Sequence, residues 1–382
     1  MKKYIYQSAW IQILTLCILL SGAVVAAGRM GYVSIPFADV VKIILSKLTG
    51  QQHLLAGIDT LFPTVIMEVR LPRILTAAIV GGGLAVAGAV FQGILLNPLA
   101  DPYTLGVSAG AAFGAAIAIL LNLYLTVIYS VPLFAFIGAT ATLFFVIYLS
   151  ASGEGLSSNN LILSGIIVAA ILSAGISFMK YVADEQVAVI IFWLMGSFAS
   201  KTWADVVLTL IFVSIGFLIF LFFARDLNLI ALGSRTASTL GVDTRKTPLI
   251  LLVAASLVAG ICVSVSGIIG FVGLLVPHMV RFVTGPDNRR LLPVAHIAQP
   301  PVDGLQYDDG VVNEHPHRKH QAHHGENVQA AADKEHHPAG GEQRERDRQR
   351  DNHRGVQPPE KEVQAERGQQ GADGAGLFEA VN

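Results

Sequence analysis

The chain has 382 residues, 53% of them hydrophobic and only 14% charged, and its mean hydropathy of +0.58 excludes a soluble domain of ordinary composition. A formal net charge of −1 gives no electrostatic case for nucleic acid, because a phosphate-binding surface needs a basic excess. The two cysteines, Cys17 and Cys262, both lie in apolar runs and offer neither a disulfide framework nor a metal-ligand cluster.

A helix needs about 20 mostly apolar residues to cross a hydrocarbon core roughly 30 Å thick. In chain order, the stretches that qualify are Trp10 to Ala27, Ile74 to Leu95, Thr104 to Leu121, Val131 to Ser150, Leu161 to Tyr181, Trp203 to Ala224, Pro248 to Val263 and Gly270 to Val283. Period-two alternation is absent, and a lipid-exposed sheet edge would leave backbone groups unsatisfied, so the expected class is an all-α transmembrane bundle. The first stretch follows Lys2 and Lys3 and ends in Val-Val-Ala-Ala-Gly, like a secretory signal. Its length and the spans that follow favour an uncleaved helix. With the N-terminus inside, Lys and Arg number nine on the cytoplasmic side and seven outside, five of the latter in the long Gly28 to Arg73 loop, and this bias sets the expected orientation.

Small residues recur at helical spacing within these spans. Gly106, Gly110 and Gly114 form GxxxGxxxG, Gly81 to Gly83 precede Gly88, and Gly267, Gly270 and Gly273 recur every third residue. Such faces let backbones approach in lipid, where no hydrophobic drive brings helices together.

Four segments between the apolar runs carry distinctive chemistry. Arg70-Leu-Pro-Arg73 stands before the second span, with Pro72 suited to a first helical turn. Its two guanidinium groups either anchor the helix at the headgroups or meet carboxylates of a docking protein. Asn97-Pro-Leu-Ala-Asp-Pro102 reads as a tight turn in which Asn97 and Asp101 bond neighbouring backbone. Leu232-Gly-Ser-Arg-Thr-Ala-Ser-Thr-Leu-Gly-Val242, in the long connection from Arg225 to Thr247, predicts a short helix. There Ala237 and Leu240 form a small apolar face suited to a partner's groove. Gly267 to Arg281 combines glycines, Pro277, His278 and Arg281, and His278 is read as structural rather than as a relay. No nucleotide-binding loop, zinc signature or nucleophile elbow is present. No catalytic residue, metal site or cofactor is therefore expected, and any energy source belongs to another polypeptide.

These segments, in this order, resemble the FecCD/BtuC family of ABC importer permeases for iron-siderophore, haem and vitamin B12. The resemblance rests on RLPR, GAVFQGILLNPLADPYTLGVSAGAAFG (Gly88 to Gly114), LGSRTASTLGV, and SGIIGFVGLLVPHMVR followed by Gly285 to Pro293. It implies a ten-helix permease that pairs with a second copy or close paralogue in the bacterial cytoplasmic membrane. Cytoplasmic ATP-binding subunits and an extracytoplasmic substrate-binding protein would be its partners. Carried over by residue, Arg70 and Arg73 would meet the binding protein. Gly233, Arg235, Ala237, Leu240 and Gly241 would belong to the segment that couples to the ATPase. The fifth span, with Ser164, Ser173 and Ser177, would line the path. The cargo implied is a metal chelate, iron-siderophore in the first place, with haem or cobalamin as alternatives. The competing classes are a passive channel and a membrane-embedded enzyme. The enzyme would need ionisable groups at mid-membrane that the spans almost wholly lack.

The expected organisation is a permease domain over residues 1–295 and a polar tail over 296–382. The first 295 residues carry 27 of the charged side chains and the last 87 carry 26. The family pattern continues past Pro293 with two further helices, so about eight of ten spans are present. The tail has no run long enough to span, and its composition predicts disorder. A break in mid-motif near Ala295 points to a shifted reading frame. On that reading the tail's histidines, among them His323 and His324, are not a metal tract, and transport by the chain as it stands is impaired.

Overall fold

The computed structural model of the protein describes residues 2–31, 33–125, 130–151 and 157–298. Among them the secondary structure is helical, with no strand. The elements are α1 (Lys2–Arg29), α2 (Phe37–Thr49), α3 (Leu61–Leu95), α4 (Val107–Leu125), α5 (Ser130–Ser150), α6 (Ser158–Val182) and α7 (Val187–Met195), then α8 (Trp203–Phe222), α9 (Ala224–Ile230), α10 (Ser234–Thr239), α11 (Lys246–Ser266), α12 (Val272–Thr284) and α13 (Asn288–Ile297). Among the described residues, α3, α5, α6, α8 and α11 are long and apolar enough to cross a membrane. The molecule is an all-α membrane helix bundle.

Side-chain size decides which helices sit inside. The most apolar stretch of α3 is 83% buried and that of α11 72%, against 22% to 28% for α5, α6 and α8. The α3 helix carries Gly81, Gly82, Gly83, Ala85, Ala87, Gly88 and Ala89, so neighbours close on it from every side. By contrast, α8 turns Leu210, Ile211, Ile215, Leu218 and Phe222 outward, as expected of a helix facing lipid. The α4 and α5 helices meet through glycine: a Cβ on Gly110 would strike Thr142 and the Gly138 carbonyl, and one on Gly114 would strike the Phe134 carbonyl. Gly106 has a left-handed backbone, φ +73°, and lies against the Gly165 carbonyl of α6.

One sequence expectation about helix limits is overturned. The second span starts at Leu61, not Ile74, and Pro72 lies well inside the continuous helix. The chain accommodates Pro72 by widening to a π-turn over Val65–Arg70, where the Leu71 N–H reaches back five residues to Ile66 O. In that register the donor for Met67 O would be Pro72, which has no N–H. The Trp203 indole Nε1–H takes its place at 2.9 Å and ties the start of α8 to α3. The last expected span, Gly270 to Val283, is the 13-residue α12, about 20 Å long and shorter than a hydrocarbon core of roughly 30 Å. It is separated from α11 by non-helical backbone at 267–271.

Elements without a full-length apolar run were missed. Residues 33–60 form a cap in which Ile35, Val40 and Ile43 pack on Ile66 of α3. The nine-residue α7 ends at Gly196, which packs against the Ser266 and Ile268 carbonyls just beyond α11. Finally, α13 buries Leu291, Leu292, Val294 and Ala295.

Candidate functional site

The connection between α8 and α11 is built as a compact structure of its own. Leu227 of α9 is buried over the end of α3, where a Cβ on Gly93 would sit 2.8 Å from Leu227 Cδ1. Gly233 then adopts φ +99° and ψ 150°, a region open almost only to glycine, and turns the chain into α10. This helix ends with the Val242 N–H bonded to Ala237 O at 3.0 Å and the Gly241 N–H bonded to Ser238 O at 3.1 Å. Gly241 is at φ +87°. This is a Schellman ending, which brings the residue after the glycine against the third-last helical residue. Val242, Ala237 and Ile230 form that contact.

The expected apolar face of Ala237 and Leu240 is thereby corrected. Ala237 is fully buried beneath α10 and presents nothing outward, because the Schellman contact claims it. Leu240 and Leu232 are exposed, at 53% and 64%, flanked by exposed Arg235 and Ser238. Below them Asp243 accepts from the Lys246 and Arg245 backbone N–H groups, both at 3.0 Å, at the start of α11. Those bonds hold its carboxyl below the usual range. Space around Gly233 is open, so Gly233→Ala is expected to cost about 1–3 kcal/mol through backbone conformation alone. Proteolysis at 230–242 should quicken while the melting temperature of the bundle holds.

On the opposite side, the structure separates the two arginines. Arg70 is 7% exposed. Its guanidinium donates to Gly28 O at 2.8 Å and Val33 O at 2.7 Å, with Arg29 O at 3.5 Å. It satisfies carbonyls at the end of α1, where a cation also suits the helix dipole. Presentation of Arg70 to a docking protein is therefore corrected: the π-turn rotates it inward onto α1. Arg73 is half-buried at the next turn, and Glu68 is exposed. Arg70→Ala should lower stability by about 1–3 kcal/mol, since it strands the buried Gly28 carbonyl and frees the part-buried Val33 one. Thermal melting in detergent checks this, and Arg70→Lys should recover only part.

The second and fourth sequence motifs converge in the interior. A Cβ on Gly88 would fall on the Gly273 carbonyl, and Pro102 lies beside Gly273. Tyr103 Oη donates to Ile269 O at 2.6 Å. Gln92 donates to Leu274 O at 3.3 Å and accepts from Arg281 at 2.6 Å. The Tyr103 bond supplies a partner for the backbone broken at 267–271, which at membrane depth is tolerated only when embedded in protein, and the Gln92 bonds tie α12 to α3. Asn97 and Asp101 accept from the N–H groups of Leu99 and Thr104, as turn-formers do. His278 stands edge-on to Phe282. On α6, Ser164 is half-buried while Ser173 and Ser177 are exposed, and the Ser177 hydroxyl bonds to Ser173 O. The tail histidines lie outside the described residues.

A family model, the FecCD transport family, matches residues 9–298. The chain belongs to the FecCD transport family. It is 41% identical over 239 residues to the cobalamin import system permease protein BtuC of Halobacterium salinarum, covering 63% of this chain and 64% of that one. To the Fe(3+) dicitrate transport system permease protein FecD of Escherichia coli it is 34% identical over 283 residues, covering 74% and 84%. A solved structure described as an inward-facing conformation of a metal-chelate type ABC transporter matches with a TM-score of 0.66 and 31% identity, over 77% of this chain and 88% of that one. This FecCD protein is accordingly an ABC importer permease of the metal-chelate type, a multi-pass membrane protein and a transport component.

Proposed function

We propose that this FecCD permease moves an iron-siderophore chelate across the bacterial cytoplasmic membrane, driven by ATPase subunits that dock on α9 and α10. The observation that carries the reading is the coupling segment itself. A short helix is held by two glycines in left-handed or glycine-only backbone, and the leucines that flank it, Leu232 and Leu240, are exposed, as a groove-docking element requires. Closure of an ATPase pair would push this segment and rock the spans between outward and inward access.

The partners follow the same reading: a second permease copy or close paralogue, and a binding protein on the outer cap. With Arg70 occupied on α1, the outer contact falls to Arg73, Glu68 and the surface of α2. The broad exposed face of α6, with Ile167, Ile171 and Phe178 beside Ser173 and Ser177, is proposed to face the path or the second copy. We also propose that the tail from 296 arises from a shifted frame, so the form with the family's last two helices restored is the transport-competent one.

The test is uptake of a panel of siderophores, haemin and cobalamin in cells carrying the frame-restored gene. ATP-dependent uptake of one siderophore class supports the reading. Uptake that persists after ATP depletion would make the protein a channel. Uptake of cobalamin or haemin alone would replace the cargo and leave the mechanism.

A further inference from the structure

One side chain fastens the coupling segment to a part of the bundle far away in sequence. Asn228, on α9, donates through Nδ2 to Asp287 Oδ1 at 2.7 Å. Its Oδ1 accepts from the Asn288 backbone N–H at 2.9 Å and from Asn288 Nδ2 at 2.8 Å. Asp287 Oδ1 also accepts from the Arg289 N–H at 3.0 Å. Asn288 is 6% exposed. Between them, Asn228 and Asp287 satisfy two of the orphan donors at the start of α13. An asparagine in a short connecting helix ordinarily bonds its own neighbouring backbone, whereas all three bonds of Asn228 cross some 60 residues.

What lies beyond the joint is stiff. Leu291, Leu292 and Ala295 of α13 are fully buried, in one core cluster with Val80, Leu84 and Ala87 of α3. The coupling segment has two covalent exits, into α8 and α11. Besides these and the direct packing of Leu227 on α3, the Asn228 cluster adds a hydrogen-bonded route through α13 to α3, the most buried of the long apolar helices among the described residues.

We propose that Asn228, Asp287 and Asn288 are positioning residues that transmit displacement of the coupling segment to α13 and thence to α3. This rests on the reading that an ATPase drives α9 and α10. The donor pattern makes a reversal possible. Asn228→Asp alone sets two carboxylates 2.7 Å apart and breaks the joint. Asp287→Asn alone keeps an acceptor for Asn228. In the double variant, Asn at 287 donates to Asp at 228, which still accepts from Asn288, so the link between the segments re-forms with its polarity inverted, while the Arg289 N–H, which shared Asp287 Oδ1, gives up that acceptor.

The experiment is hydrogen exchange on the full chain in lipid nanodiscs, alone and with its ATPase subunit and a non-hydrolysable ATP analogue. Alone, N228D should raise exchange at 287–292 about tenfold, as expected for loss of part-buried hydrogen bonds, D287N should change it little, and the double variant should bring it most of the way back to the wild-type level. With ATPase and nucleotide, exchange should change at both 234–240 and 287–292 in the wild type and the double variant, but only at 234–240 in N228D. A merely structural joint would shift melting without severing this response. An equal response at 287–292 in N228D, or no rescue by the double variant, overturns the proposal. Silence at 234–240 in the wild type overturns the ATPase reading instead, and the transmission role with it.

Discussion

Gly88→Val is expected to remove the folded protein from the membrane, while Gly22→Val leaves its amount and melting unchanged. Both glycines lie within helices, and they differ in what a side chain would meet. At Gly22 there is nothing within 4 Å, and at Gly88 the first atom is the backbone oxygen of Gly273. Inserting methylenes into a packed interior costs about 1–3 kcal/mol when side chains can shift. Here the obstacle is main chain, and it is pinned. The adjoining segment is held by Tyr103 on Ile269 O and by Gln92 on Leu274 O. A move of α12 away from α3 would break those bonds and strand carbonyls at membrane depth. A loss well above 3 kcal/mol is a large share of the roughly 5–15 kcal/mol that holds a domain folded. Fluorescence-detected gel filtration of detergent extracts, with melting of whatever is recovered, checks the contrast.

Leu240→Asp should separate folding from coupling. Leu240 is 53% exposed and Leu232 64%, so an aspartate at either position removes little internal packing, and melting should stay within about 0.5 kcal/mol of the wild type. If the ATPase groove receives these leucines, each aspartate buries a carboxylate on docking. The loss should reach the hot-spot range of about 2 kcal/mol or more, roughly 30-fold in affinity. Ala237→Asp should do the reverse, because Ala237 is sealed against Ile230 and Val242: the segment itself unfolds. Affinity for the ATPase in nanodiscs, set beside melting curves, distinguishes the two cases.

The sequence made the bundle legible because long apolar runs have few other solutions, and α5, α6 and α8 lie close to where hydropathy put them. It did not show where helices stop short. An apolar run reads much the same at 13 residues as at 20, so the short α12 has the signal of a full-length helix, and the nine-residue α7 has no run of its own to reveal it. Proline was read by its usual preference for the first turn. The π-turn that lets Pro72 sit inside α3 depends on Trp203, some 130 residues away, which no local pattern reveals. Arg70 was misplaced for the same reason, since that widened turn aims it at the end of α1. The burial of Ala237 could have been found: a glycine followed by valine after a short helix is a Schellman signature, and it assigns Ala237 to the inside. The joint at Asn228 had no such signal, because its partners are distant in sequence and ordinary in type.

The most direct test of the account is the side of the membrane on which α10 lies. With Cys17→Ala as background and Cys262 buried, Ser238→Cys places one exposed thiol on the proposed coupling segment. A membrane-impermeant maleimide should label it in inside-out vesicles and leave it untouched in intact spheroplasts. Labelling from the outside would put the segment beyond the reach of any cytoplasmic ATPase and contradict the account.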